Sequence, residues 1–357
     1  MQYIFCKFFI VSQKILCYNV FTNPKELVMD ILHLTPKDDL QKILDSLTGP
    51  TTIYLAEGKY IDKLWIKCDN VKIIGANRET TLITWDDFAR KTHSDGGEYN
   101  TFRTYTVCVT GNGCSLENLT IVNSNQDARK VGQCVALSVN APLFYAKNID
   151  LRSEQDTLFT SPFPDDLVIR YSGLTDDPAY YDGFIPKEQL YMEGNSVQIY
   201  DNCRIYGTVD FIFGCAEAYF NECDIISLHD EREHGFIAAP AHSLKQTDGY
   251  TFINCKLTDG GAAEGSVYLA RPWRDFGKCQ FINCTLGKHI NPALFDRWND
   301  TYRDHTARFA YGNLTCENHI DPVVWCSQLT KEGIEAAENK LTLAKAMWEA
   351  HENNCMK

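Results

Sequence analysis

Five side chains in four short stretches could do chemistry together. Asp210 lies in TVDFIFG (208–214), Gln155 and Asp156 in EQDTLF (154–159), Gln133 in GQCVAL (132–137) and Arg271 in YLARPW (268–273). Each stretch sets polar groups inside an apolar run that reads as a strand. A carboxylate among Val209, Phe211, Ile212 and Phe213 is costly to bury unless it is paired or hydrogen-bonded. Asp beside Gly often opens a turn, but here Gly207 and Gly214 flank the run and the Asp sits inside it. Two Asp, one Arg and two Gln form a coherent set for acyl transfer. One carboxylate can attack a carbonyl while the other serves as acid and then as base. The arginine can orient an ionised carboxylate through two parallel hydrogen bonds. Amide N–H groups can stabilise an oxyanion. This set calls for no metal and no cofactor.

The elements that would position these residues repeat along the chain. A polar residue, then Cys, Leu or Ile, any residue, then Ile or Leu recurs as NLTI (118–121), NIDL (148–151), NCRI (202–205), ECDI (222–225), NCKL (254–257) and NCTL (283–286). Successive copies start 30, 54, 20, 32 and 29 residues apart. A constant strand motif with uneven steps suits a parallel β-helix, whose coils keep their strands while their loops vary. The expected fold is therefore all-β, a single-stranded parallel β-helix. Cys203, Cys223, Cys255 and Cys284 hold equivalent positions and should stack as a buried ladder of small apolar side chains. The Asn residues at the copies' first positions should form a hydrogen-bonded turn ladder.

The ends read as helices that cap the solenoid. Thr35-Pro36 looks like an N-cap with Pro at N1, ahead of a face of Leu40, Ile43, Leu44 and Leu47. Residues 331–353 read as an amphipathic C-terminal helix. Residues 161–195, rich in prolines, acids and tyrosines, account for the longest step and are expected to loop out of the solenoid. Residues 1–28 read as an atypical extension and 29–357 as one domain.

Composition bounds the function. The chain has 357 residues, 44% of them hydrophobic, with a net charge of −13. That is enough apolar material for a sizeable core, and the charge argues against nonspecific nucleic-acid binding. No apolar run is long enough for a membrane span. The first residues are apolar, but Lys7 interrupts them and no small-residue cleavage site follows. Fifteen cysteines, an odd number without zinc spacing, fit a reducing compartment better than a disulfide framework. The expected location is cytoplasmic, with secretion through a degenerate signal as the alternative.

QDTL, GTVDFIFG and L-x-RPW, preceded by Q-x-x-A-L, resemble the signature motifs of the pectin methylesterases, in the family's order and over about residues 29–300. EGKYIDKLWI (57–66) resembles a fifth motif, with Asp62 where the family usually has Glu. The resemblance implies a right-handed parallel β-helix. It also implies an enzyme that hydrolyses the methyl esters of pectin or methylated oligogalacturonides and releases methanol. Asp210 would be the nucleophile, held ionised by Arg271. Asp156 would protonate the leaving methanol and then activate water. Gln133 and Gln155 would stabilise the oxyanion, and Phe159, Phe213 and Trp273 would line the sugar groove. Three departures stand out: Ala270 replaces a common Gly, Ser138 replaces an aromatic found in some members, and Asp156 and Asp210 lie 54 residues apart, wider than usual. An excursion over the groove would restrict the enzyme to chain ends or short oligomers.

Plainer readings stand beside these. Asp210 with Arg271 can be a structural ion pair, the glutamines can cap turns, the phenylalanines can be core residues, and Trp273 can be an exposed structural side chain. Alternatives for the whole chain are a binding-only β-helix, an esterase for another ester such as an acyl thioester, and a calcium-dependent pectate lyase. The Asp-Asp pairs at 38–39, 86–87, 165–166 and 176–177 fall in no recognisable lyase signature.

Overall fold

The computed structural model describes residues 30–125, 127–172, 185, 187–190, 194–299 and 301–355. The expected extension at 1–28 lies outside them, as does most of 173–193. Three parallel sheets of 11, 7 and 9 strands form the faces of one solenoid. Successive strands visit the sheets in turn: Val197–Asp201, Arg204–Gly207 and Val209–Gly214 each belong to a different one. This is the expected parallel β-helix.

Equivalent positions stack because neighbouring coils pair in register. Tyr200, Phe220, Phe252 and Phe281 form one inward column. The Phe220–Phe252 and Phe252–Phe281 ring centroids are both 4.4 Å apart, and the planes are within 10° and 1° of parallel. That separation is close to the spacing between paired strands. The cysteine ladder is present. Cys203, Cys223, Cys255 and Cys284 are buried, and Cys223 and Cys255 each donate to a carbonyl of the preceding coil at 3.2 Å. Burial raises the thiols of Cys203, Cys223 and Cys255 well above their ordinary range, which makes them inert packing groups. Every described cysteine is a free thiol.

The turn ladder has a backbone cause. Asn118, Asn148, Asn202, Asn254 and Asn283 all sit at φ between 52° and 56°, the left-handed region that Asn tolerates better than most residues. Asn148 donates to Asn118 at 2.7 Å, and Asn313 to Asn283 at 2.8 Å. Asn313 opens a copy, 313–316, that the sequence pattern had not included. Glu222 takes the same φ, 53°, in the one copy without Asn.

The terminal helices differ from expectation in detail. The N-terminal helix runs Leu40–Ser46, and its N-cap is Asp39, whose carboxylate accepts from Lys42 N. Thr35 instead closes a turn onto Asp38, so Pro36 is not at N1. Asp62 of the fifth motif accepts the Gln41 N–H at 3.1 Å and so supports the first turn of this helix. Leu40 and Leu44 enter the main core. The C-terminal helix, Lys331–Cys355, starts at the far end of the stack and turns back along the outer face of the 11-stranded sheet. It therefore flanks the coils more than it plugs them. Ala337, Leu341, Ala344 and Trp348 pack on Leu143, Ile199, Tyr219, Ile253 and Ile282. Ion pairs from Lys345 to Asp201 and from Lys72 to Glu352, each at 2.9 Å, tie it down. Trp325, Val323 and Ile320 pack against the core near the last coils. Among the described residues, no helix is long and apolar enough to cross a membrane.

Candidate active site

The 7-stranded sheet carries the site. Its strands Leu137–Val139, Leu158–Thr160, Val209–Gly214 and Gly235–Pro240 bring Ser138, Phe159, Phe213 and Ala239 into one outward-facing column. The strand with Asp210 breaks simple alternation. Its register against the next strand shifts between Val209 and Ile212, a bulge. Phe211 and Ile212 consequently both enter the main core, while Phe213 joins a second cluster on the cleft side. The flanking glycines permit this. A Cβ on Gly207 would sit 2.2 Å from the Phe211 Cβ, and one on Gly214 2.0 Å from the Thr160 carbonyl oxygen.

Asp156 and Asp210 come together across neighbouring coils, as the paired strands that follow them require. Both hold positive φ, 62° and 51°. For two non-glycine residues in one site this is a stored backbone cost of about 1–3 kcal/mol each. Both are 8% exposed. Arg271 Nε donates to Asp210 Oδ1 at 2.8 Å and Nη2 to Oδ2 at 2.6 Å, a bidentate pair. The guanidinium lies between the Phe236 ring, 3.7 Å to its centroid, and the Trp298 ring at 4.0 Å. Among the described residues, no arginine forms a salt bridge with Asp156 as Arg271 does with Asp210. Burial first, and the charge of Asp210 second, raise its carboxyl well above the ordinary carboxylate range. One carboxyl is thus held by a cation, while burial and its charged neighbour favour the protonated form of the other.

Arg232 orients Gln155. Its Nη1 donates to Gln155 Oε1 at 2.9 Å, while Asp230 holds its Nε and Nη2 at 2.9 and 2.6 Å. Arginine only donates, so the amide oxygen must face it and the NH₂ must face away. The Gln155 side chain is hydrogen-bonded to Asp156.

All five expected catalytic residues, Asp210, Asp156, Arg271, Gln133 and Gln155, border one recess of about 400 Å³. Phe213 and Trp273 border it too, with ring centroids 5.6 Å apart in an edge-on contact. Phe159 does not. It is fully buried under the surface, against Phe102, Phe163 and Phe213, so the groove-lining expectation is corrected to a core role. The family resemblance alone places it in the groove, and its aromatic cover is not legible in the sequence. Ala270 is fully buried opposite Ala238, and Arg271 follows it undisturbed. Sequence reading missed Trp298, Phe236 and Arg232. Trp298 comes from an irregular segment, and the other two matter through contacts that no spacing announces. Among the described residues, no group of three or more His, Cys, Asp or Glu is placed to hold a metal ion.

The pectinesterase family model matches residues 33–163 and 180–338, most of the chain. The chain belongs to the pectinesterase family. It is 25% identical over 318 residues to "Pectinesterase QRT1" of Arabidopsis thaliana, covering 85% of this chain and 72% of that one. It is 29% identical over 262 residues to "Probable pectinesterase A" of Aspergillus niger, covering 71% and 67%. It spans only 22–44% of several Arabidopsis relatives named "pectinesterase/pectinesterase inhibitor". The solved structure of pectin methylesterase from carrot superimposes with a TM-score of 0.69 at 19% identity, covering 92% of this chain and 98% of that one. This last likeness is one of fold. The pectinesterase frame is the β-helix described above, and the recess lies on its 7-stranded face.

Proposed function

We propose that this pectinesterase hydrolyses methyl esters of galacturonan or its oligomers, with Asp210 as nucleophile and Asp156 as acid and base. Asp210 Oδ attacks the ester carbonyl carbon, and the carbonyl electron pair moves onto oxygen. Gln133 and Gln155 donate amide N–H groups to that oxyanion. The carbonyl re-forms, the C–O bond to methoxide breaks, and the Asp156 proton passes to it as methanol leaves. The remaining Asp210–galacturonyl anhydride is cleaved by water, from which Asp156 takes a proton. The anhydride C–O bond breaks toward Asp210, which returns as carboxylate with Asp156 again the acid, and the galacturonic acid set free gives its proton to solvent.

The observation that carries this reading is the asymmetry of the pair: Asp210 doubly hydrogen-bonded by Arg271, Asp156 buried beside it with its carboxyl raised. The substrate class draws support from local charge. Arg170, Arg271 and Arg274 all border the recess of a chain whose net charge is −13, which suits a sugar chain carrying carboxylates. Free buried thiols along the coils fit a reducing compartment, so the proposed site of action is the cytoplasm.

Methanol release from highly methylated galacturonan, with and without a chelator, tests the activity. The expected result is release at an undiminished rate with chelator present. Unsaturated products that depend on calcium, without methanol, would overturn the reading in favour of a lyase.

A further inference from the structure

The family frame is interrupted at one place in this chain. Its matches end at residue 163 and resume at 180, and the helix Asp165–Ser172 falls inside that gap. The helix does not project freely. Phe163, Leu167 and Tyr171 pack into the cleft-side cluster with Phe102, Phe159 and Phe213. Leu167, Arg170 and Tyr171 then form a wall of the recess that holds the two carboxylates.

Asp166 of the same helix reaches the segment after LARPW. Arg274 Nε donates to its Oδ1 at 3.0 Å and Nη2 to its Oδ2 at 2.7 Å. The Arg274 guanidinium also lies over the Trp273 ring, 4.7 Å from the centroid. On one side of this bridge is the 400 Å³ recess with Asp156 and Asp210. On the other is a second hollow of about 620 Å³, between Phe163, His242 and Arg303, that Arg274 also borders. Arg274 borders both hollows and Asp166 only the second, so the bridge stands where the two meet. A half-exposed ion pair contributes little stability alone. Here the buried apolar anchors hold the helix, and the pair fixes its distance from Arg274.

We propose that the inserted helix and its Asp166–Arg274 bridge confine this enzyme to the ends of galacturonan chains and to short methylated oligomers. The proposal rests on the esterase reading above and names which members of that substrate class are accepted.

The test compares methylated trigalacturonide with long methylated galacturonan at equal ester concentration. Initial methanol release and quenching of tryptophan fluorescence are read on the full chain, since Trp273 and Trp298 border the recess. The trimer is expected to be turned over faster by roughly tenfold or more, and to quench at lower ester concentration. Asp166→Ala combined with Arg170→Ala is expected to raise the polymer-to-trimer rate ratio by roughly fivefold or more. Equal wild-type rates and equal quenching on both substrates would overturn the proposal. A ratio unmoved in the double variant would overturn the assignment to this helix. Selective quenching by the trimer without methanol from either substrate would overturn the esterase reading and leave the length restriction standing. Quenching by neither would overturn both.

Discussion

Asp156 and Asp210 are the same side chain in the same recess, and their neighbours divide the work. The bidentate Arg271 belongs to Asp210 alone. Asp156 is left to burial and to the adjacent carboxylate, which raise its carboxyl. This has a consequence for stability as well as for catalysis. The unfolded chain releases that proton at an ordinary carboxylate pKa of about 3.9. Above that pH, and up to the raised folded value, the native state holds a proton that the unfolded state has lost. Stability therefore falls as pH rises through this window and levels off above it. Asp156→Asn removes the slope. Thermal melts of variant and wild type should nearly coincide near pH 4 and separate toward pH 8, with the variant the more stable. A gap that is the same at both pH values would contradict the raised carboxyl. Methanol release by the wild type should decline on the alkaline side through the same folded pKa, because the departing methoxide needs that proton.

The coil turns set where each strand begins. Asn148 holds φ 53°, donates to Asn118 and lies within 3.4 Å of the Asn202 amide. Asn148→Ala loses both hydrogen bonds and places a Cβ residue without Asn's tolerance in the left-handed region, at a cost of about 1–2 kcal/mol from backbone conformation alone. Asn148→Gly loses the hydrogen bonds but keeps the conformation. Urea denaturation should rank wild type above Gly and Gly above Ala; Ala as stable as Gly would show that backbone conformation is not what the ladder supplies. This element was legible in sequence because its residue type repeats with its geometry, and the same holds for Cys203, Cys223, Cys255 and Cys284. The bulge in Val209–Gly214 was not legible. VDFIFG reads as a plain apolar run, and only the pairing of Ile212 with Ala238 shows that Phe211 and Ile212 both turn inward. The same limit hid the sandwich around Arg271. Phe236 and Trp298 are far from it in sequence and meet it only through coil stacking and an irregular segment whose Trp298 and Asn299 both hold positive φ.

At the scale of the molecule, the solenoid is a frame with one edited face. Stacked parallel coils around a buried core are what the repeat implied; their three sheets appear only in the structure. The C-terminal helix was legible as amphipathic, but its docking site was not. Its apolar stripe fits an outer sheet face as well as an open end, and Leu143, Ile199 and Tyr219 supply that face. The proposed catalytic residues were legible because their polar groups interrupt apolar runs, although only Asp210 lies within a strand and the other four sit just outside theirs; Phe159 was not distinguishable from a groove residue until its cover was known. The helix Asp165–Ser172 walls the cleft while the coils that carry Asp156 and Asp210 stay paired. Everything functional in this account depends on one atom group, the Asp210 carboxylate. The most direct test is steady-state methanol release by Asp210→Asn beside wild type, with circular dichroism confirming that both are folded. The expected result is a loss of kcat of roughly a thousandfold or more with native secondary structure intact. A folded variant whose turnover stays within about tenfold of wild type would contradict it.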